Sequence, residues 1–167
     1  MSLFPPQVEG LASRIVNDFT LRNITIATAE SCTGGLIAGA LTEISGSSAV
    51  VDRGFVTYSN QAKMDMLGVE AATLERFGAV SRETALEMVQ GALARSGASL
   101  AVAVTGIAGP TGGTAEKPVG LVHLAAKACN GRLIDREMRY GDLGRSGIRL
   151  ATVMSALEML LEAAQAA

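Results

Sequence analysis

Histidine, cysteine and aromatic residues are scarce in this sequence, and each shortage narrows what the protein can be. Tryptophan is absent, aromatic residues make up 4% of the 167 residues, and there is a single histidine, His123. Because 49% of the residues are hydrophobic, a sizeable core can form, but it must be aliphatic. His123 lies inside an apolar run, so a hydrolase built on this chain would need another general base.

The two cysteines, Cys32 and Cys129, do not form a Cys-x-x-Cys or Cys/His spacing, so the usual zinc-site patterns are missing. Cys32 lies in a glycine-rich loop but lacks a histidine partner, and we interpret it as a small buried residue. The loops also lack the phosphate-binding pattern G-x-x-x-x-G-K-[ST] and the dinucleotide-binding pattern G-x-G-x-x-G. We therefore expect no metal site and no cofactor.

Long apolar runs and a surplus of positive charge are missing as well. The net charge is −2 and no basic stripe is present, which argues against a nucleic-acid partner. No run of 18 uninterrupted apolar residues occurs, and the first six residues lack the pattern of a secretion signal. We expect a cytoplasmic protein that uses neither a membrane nor a nucleic acid, folded as one domain over residues 1–167.

Apolar runs alternate with amphipathic helical patterns along the chain. Helical spacing predicts a first helix over 6–22 and a last helix after Gly147. The apolar runs predict strands over 24–28, 49–58, 100–104, 120–127 and 133–140. The dipeptide Asn130-Gly131 between the last two strands is a strong hairpin signal. Together these elements predict an α/β fold, a three-layer α/β/α sandwich with a mixed, mostly parallel sheet.

A polar, glycine-rich loop at 29–35 follows the first predicted strand and precedes a helical pattern. The free N–H groups of a first helical turn attract anions, and Ser31 and Thr33 add hydroxyl groups. Gly34 and Gly35 would let a ligand approach the backbone closely. The alternative interpretation is a helix that Ser31 or Thr33 caps, with no ligand.

Two more glycine-rich loops, at 105–114 and 141–147, also follow predicted strands. Open α/β sheets bind ligands beyond the carboxyl ends of their strands, so the three loops would form one pocket if they meet at one edge. Arg145 in the last loop could bind a phosphate group with its planar guanidinium. The alternatives are a solvated surface arginine, and a wide hairpin or lid at 105–114.

A serine and a lysine flank the predicted strand at 49–58. Ser48 lies at its start, Lys63 lies just past its end, and Tyr58 stands between them. A lysine kept neutral by desolvation can deprotonate a serine, which then acts as a nucleophile. The spacing alone equally allows Ser48 to be a turn residue and Lys63 an exposed helical lysine.

Six motifs in a fixed order cover nearly the whole chain: TAESCTGG at 28–35, GFVTYSN at 54–60, LGV at 67–69, GAVS at 78–81, TGIAGP at 105–110 and KPVG at 117–120. With these motifs the sequence resembles the CinA C-terminal family, the nicotinamide-nucleotide amidases. Some members carry a further N-terminal domain that resembles molybdopterin-binding proteins, and we expect this chain to be the stand-alone form.

The resemblance implies that the carboxamide of nicotinamide mononucleotide is hydrolysed, without a metal, to nicotinate mononucleotide and ammonia. By motif position it implies Ser48 as the nucleophile, Lys63 as its base and Tyr58 as an assisting residue. Ser31 remains the alternative candidate for the nucleophile. The implied substrate-binding residues are Ser31, Thr33, Gly34, Gly35, Thr105, Gly106, Gly109, Gly112 and Arg145.

A second hypothesis keeps the same pocket without catalysis. Because family names refer to competence and DNA damage, the chain could be a nucleotide-binding regulatory module. The two hypotheses differ over Lys63, since a binding module has no use for a desolvated lysine beside a serine. In either case we expect a small nucleotide as the ligand and a homo-oligomer, a dimer whose interface the last helix covers.

Overall fold

A five-stranded sheet forms the centre of the fold in the computed structural model, which describes residues 1–165. In chain order the strands are β1 Ile26–Glu30, β2 Val51–Val56, β3 Leu100–Gly106, β4 Leu121–Ala128 and β5 Leu133–Arg139. Their order in the sheet is β2-β1-β3-β4-β5. Strand β4 is antiparallel to both neighbours and the other pairings are parallel, so four strands run in one direction. The predicted mixed, mostly parallel sheet is confirmed.

Six helices cover the two faces of the sheet. They are α1 Pro6–Arg22, α2 Leu36–Thr42, α3 Asn60–Leu67, α4 Ala71–Phe77, α5 Arg82–Ala94 and α6 Gly144–Ala164. Buried side chains of α1, α2 and α6 pack on one face, and those of α3, α4 and α5 pack on the other. This arrangement is the three-layer sandwich that the sequence predicts. Phe19 is the one aromatic side chain among the buried hydrophobic residues that the structure describes, so the core is aliphatic as expected.

Two boundaries differ from the sequence prediction in ways that matter for the site. Strand β1 ends at Glu30 rather than at residue 28, which places Glu30 directly before the glycine-rich loop. Helix α6 begins at Gly144 rather than after Gly147, so Arg145 lies in its first turn. Glycines suggest a turn because they are poor helix formers, but Asp142 Oδ1 accepts the N–H of Gly144 at 3.2 Å and supports an early start.

Helix α6 is covered by its own chain over most of its length. Its buried residues pack against α1 and the sheet, and Glu158 is the one exposed residue between 147 and 164. The prediction that this helix covers a dimer interface therefore gains no support from an exposed apolar face. The homo-oligomer itself stays a prediction.

Glu30 determines how helix α2 begins. Its side chain is 1% exposed, and its carboxylate accepts the backbone N–H groups of Ile37 at 2.8 Å and Ala38 at 3.0 Å. The hydroxyls of Thr33, at 2.7 Å, and Thr28, at 3.3 Å, donate to the same carboxylate. A negative charge at a helix N-terminus is favourable because it satisfies unpaired N–H groups and complements the helix dipole.

The close approach of α5 to the end of α3 requires glycine at position 91. A Cβ atom at Gly91 would lie 1.9 Å from the carbonyl oxygen of Leu67. We expect Gly91→Ala to lower the free energy of unfolding by about 1–3 kcal/mol, because the two helices must separate. The control is Gly10→Ala in α1, where no atom lies within 4 Å of the added methyl group. This control should be about 0.5–1 kcal/mol more stable than the wild type. Urea denaturation measures both, and equal stability of the Gly91→Ala variant and the wild type would contradict the close contact.

Replacement of Glu30 tests the cap of α2. Glu30→Gln puts an NH₂ group opposite buried N–H donors, and we expect the free energy of unfolding to fall by about 1–3 kcal/mol. Glu75→Gln on α4 is the matched control, because Glu75 is exposed and its change should stay within about 0.5 kcal/mol. Chemical denaturation of both variants at neutral pH makes the comparison, and equal losses would contradict the role of Glu30.

Candidate active site

Three loops meet at the carboxyl ends of the parallel strands and enclose a cavity of about 270 Å³. They are the loops after β1 and β3 and the start of α6, as the sequence predicts. The volume is near the lower end of the range for small-molecule sites, about 300–1,000 Å³. The residues around the cavity are Ser31, Cys32, Tyr58, Asn60, Lys63, Ala79, Val80, Thr105, Gly106, Ile107, Ala108, Gly109, Thr111, Gly112 and Arg145.

Lys63 and Ser31 form a hydrogen-bonded pair at the base of this cavity. Lys63 Nζ lies 3.0 Å from Ser31 Oγ and donates to the carbonyl oxygen of Thr57 at 2.7 Å. The Lys63 side chain is 1% exposed, although the first two residues of its helix, Asn60 and Gln61, are exposed. Ser59 caps that helix by accepting the N–H of Ala62, which fixes the direction in which Lys63 enters the protein.

Burial controls the protonation of Lys63. Desolvation lowers the pKa of Lys63 below its usual 10.5, and the Coulomb interaction with Cys32 opposes this shift to a smaller degree. Within residues 1–165 no carboxylate forms an ion pair with Lys63. A neutral amine can donate to the carbonyl oxygen of Thr57 while its lone pair accepts the hydroxyl proton of Ser31. This is the arrangement that a general base next to a nucleophile requires.

Cys32 lacks the properties of a cysteine nucleophile. Its side chain is 5% exposed, and burial raises the pKa of the thiol to about 11. At neutral pH the thiol therefore stays protonated, and a thiol is a far weaker nucleophile than a thiolate. The interpretation of Cys32 as a small buried residue is confirmed.

Ser48 lies away from the cavity. It belongs to the 3₁₀ helix Ser47–Ala49, which precedes β2, whereas Lys63 follows the other end of that strand. Six residues of extended chain separate the two ends by about 20 Å. Ser48 is exposed and, among the described residues, makes no side-chain hydrogen bond. Ser48 and Lys63 therefore do not form the expected pair, because they lie beyond opposite ends of β2.

Arg145 and Tyr58 bridge the rim of the cavity. Arg145 Nη1 donates to the carbonyl oxygen of Gly109 at 2.8 Å, and Arg145 Nη2 donates to the hydroxyl of Tyr58 at 2.9 Å. Tyr58 is 61% exposed, and its hydroxyl is bound to Arg145 rather than to Lys63. The structure thus places Tyr58 at the entrance, not between the serine and the lysine.

The predicted substrate-binding residues divide into two groups. Those at the end of β3 and in the loop that follows it surround the cavity: Thr105, Gly106, Gly109 and Gly112. Thr33, Gly34 and Gly35 do not, and the side chain of Thr33 is fully buried with its hydroxyl on Glu30. The expected anion site at the start of α2 is not available, because the carboxylate of Glu30 already binds the N–H groups there.

Arg149, next to the loop over residues 31–35, is a further residue that none of the sequence motifs contains. It lies on α6 and donates to the carbonyl oxygens of Cys32 and Thr33, at 3.1 Å each. One signal points to it, since Arg149 stands four residues after Arg145 and therefore on the same face of a helix. The carbonyl group of Thr57, which binds Lys63, has no signal in the sequence at all.

The described part of the chain, residues 1–165, holds no cluster of three or more His, Cys, Asp or Glu side chains that could bind a metal ion. None of the helices in that part has the length and hydrophobicity needed to span a bilayer.

Comparison with known proteins places the chain among relatives that share its sequence over most of its length. The model of a family described as "CinA C-terminal domain" matches residues 8–164. The nicotinamide-nucleotide amidohydrolase PncC of Enterobacter agglomerans is 51% identical over 137 residues, 81% of this chain and 82% of that protein. The CinA-like protein of Geotalea daltonii is 48% identical over 161 residues, 95% of this chain and 38% of that protein. The chain likewise spans 36% of a relative from Acetivibrio thermocellus.

Solved structures share the fold as well as the sequence. The crystal structure of competence/damage inducible protein CihA from Agrobacterium tumefaciens has a TM-score of 0.98 and 70% identity, and the match covers 99% of this chain and 100% of that one. A competence-damaged protein (CinA) superfamily protein from Escherichia coli has a TM-score of 0.88 and 34% identity, with 97% and 94% covered. The resemblance inferred from the motifs is thus confirmed, and the chain belongs to the CinA C-terminal domain family.

Proposed function

We propose that this protein is an amidase that hydrolyses nicotinamide mononucleotide, with Ser31 as the nucleophile and Lys63 as its base. The observation that carries the proposal is the contact of 3.0 Å between Lys63 Nζ and Ser31 Oγ, made by a lysine that is 1% exposed. The substrate comes from the relative named nicotinamide-nucleotide amidohydrolase, which is 51% identical. Ser31 replaces Ser48 in this assignment because Ser48 lies at the opposite edge of the sheet.

The reaction proceeds in two halves. Neutral Lys63 takes the proton of the Ser31 hydroxyl, and Oγ attacks the carboxamide carbon to give a tetrahedral oxyanion. The C–N bond breaks as the Lys63 ammonium returns the proton to the leaving nitrogen, which departs as ammonia. Lys63 then deprotonates a water molecule, which attacks the ester on Ser31, and nicotinate mononucleotide leaves as the Ser31 hydroxyl re-forms.

Two other parts of the cavity, the loop after β3 and Arg145, could stabilise the oxyanion and bind the phosphate of the substrate. The glycine-rich loop after β3 can present backbone N–H groups to the developing oxyanion, which is how such charge is stabilised away from water. Arg145 at the rim is the cation placed to bind the single phosphate of the nucleotide, and Tyr58 holds its guanidinium. We further propose that the enzyme acts in the cytoplasm without a metal ion.

Variants of the two serines and the lysine test the assignment. We expect Ser31→Ala and Lys63→Met each to lower kcat for ammonia release from nicotinamide mononucleotide by at least about 10³-fold, since each removes one half of the pair. Ser48→Ala is the matched control and should keep the wild-type rate. An inactive Ser48→Ala variant beside an active Ser31→Ala variant would move the nucleophile back to Ser48.

The same assay separates the amidase from a regulatory module. Ammonia release by the wild type should be equal with and without EDTA. Loss of release in EDTA would contradict the serine–lysine mechanism. Binding of the nucleotide without any release would favour the non-catalytic module, and isothermal titration calorimetry detects that binding.

The pH dependence follows from the lowered pKa of Lys63. Only the neutral amine can accept the Ser31 proton, so kcat/KM should rise with pH and level off below pH 10.5, the usual lysine value. Because the folded state favours the neutral amine, the unfolded chain binds more protons than the folded chain between the folded pKa of Lys63 and 10.5. The free energy of unfolding therefore also rises with pH over that range. Lys63→Met should lose this pH-dependent part of the stability. A kcat/KM that falls over the same range would contradict Lys63 as the base.

A further inference from the structure

We propose that Arg149 is a positioning residue that holds the Ser31 loop, residues 31–35, in its reactive geometry. This inference rests on the proposed role of Ser31 as the nucleophile. Arg149 is half-buried, lies on α6 and is not among the residues around the cavity. It therefore acts on the reaction only through the groups that it contacts.

The guanidinium of Arg149 connects to the backbone of Ser31 through one peptide group. Arg149 Nη2 donates to the carbonyl oxygen of Thr33 at 3.1 Å, and the N–H of the same peptide, on Gly34, donates to the carbonyl oxygen of Ser31 at 3.0 Å. A trans peptide points its N–H and C=O in opposite directions, so a donor on one side fixes the other side. Hydrogen bonds in such a chain also strengthen one another.

A second contact fixes the adjoining peptide. Arg149 Nε donates to the carbonyl oxygen of Cys32 at 3.1 Å, which sets the orientation of the Cys32–Thr33 peptide, the second peptide after Ser31. Ser31 itself is held from the other side, because its N–H donates to the carbonyl oxygen of Val104 on β3 at 3.1 Å. The backbone on both sides of Ser31 is therefore constrained.

Gly34 borders the guanidinium of Arg149. Its φ angle is +57°, and a Cβ atom there would lie 3.4 Å from Arg149 Nη2. Glu30 anchors α2 on the other flank of the loop, so the loop is held between a carboxylate from β1 and a guanidinium from α6. Without the guanidinium, two carbonyl groups lose their donors and Ser31 Oγ is free to move away from Lys63.

The test measures the reactivity of Ser31 directly, with a fluorophosphonate probe that labels activated serines. Arg149→Met should lower the labelling rate constant and kcat by about 10²-fold, the effect expected from a misplaced nucleophile, while KM changes little. Arg149→Lys keeps the charge and should recover part of the rate. Guanidinium ion added to Arg149→Ala should restore labelling, which a general loss of structure would not allow.

Arg136→Met provides the matched control. Arg136 on β5 forms an ion pair with Glu162 on α6, so its loss also weakens the attachment of α6 but far from the Ser31 loop. This variant should label at the wild-type rate. Wild-type labelling rates in both Arg149→Met and Arg149→Lys would overturn the inference. If the wild type releases no ammonia from nicotinamide mononucleotide but its labelling still depends on Arg149, the substrate is wrong and the inference stands.

Discussion

The burial of one amine is the constraint on which the site depends. Lys63 is 1% exposed and has no carboxylate partner within residues 1–165, so a full positive charge there would be costly. The cost falls when the amine is neutral, and a neutral amine has two N–H donors and one lone pair that can accept. Lys63 Nζ donates to the carbonyl oxygen of Thr57 and lies 3.0 Å from Ser31 Oγ, whose hydroxyl can donate to the lone pair of a neutral amine. The proposed amidase uses this pair as nucleophile and base, whereas a pocket that only bound a nucleotide would not require it.

Two charged residues on opposite sides of the Ser31 loop hold the backbone next to the Ser31–Lys63 pair. Glu30 binds the N–H groups at the start of α2, and Arg149 binds two carbonyl oxygens of the loop. The consequence for recognition is direct. Since Glu30 already occupies the positive end of α2, the phosphate of the proposed substrate would have to bind elsewhere, and Arg145 at the rim of the cavity is our candidate for it.

Much of the fold could be predicted because its signals are local. The apolar spacing of α1 gave the bounds 6–22 that the structure has, and Asn130-Gly131 marked the hairpin between β4 and β5. The parallel strands then place the three glycine-rich loops at one edge, which follows from topology rules rather than from any single residue. The start of α6 differs from the prediction because Gly144 and Gly147, which suggest a turn, lie within the helix.

The amino-acid sequence by itself determined the strands, the layers and the aliphatic core, and its motifs identified Lys63 as a candidate base, because periodicity, composition and motifs are properties of short segments. Only the tertiary structure decided which serine meets that lysine. Ser48 is closer to Lys63 along the chain, 15 positions against 32, but β2 runs between them and carries them to opposite ends of the sheet. Ser31 follows β1, the parallel neighbour of β2, so both strands deliver their carboxyl ends to one place. The direction of the strands decides which residues lie close together, and the spacing of residues along the chain does not reveal that direction.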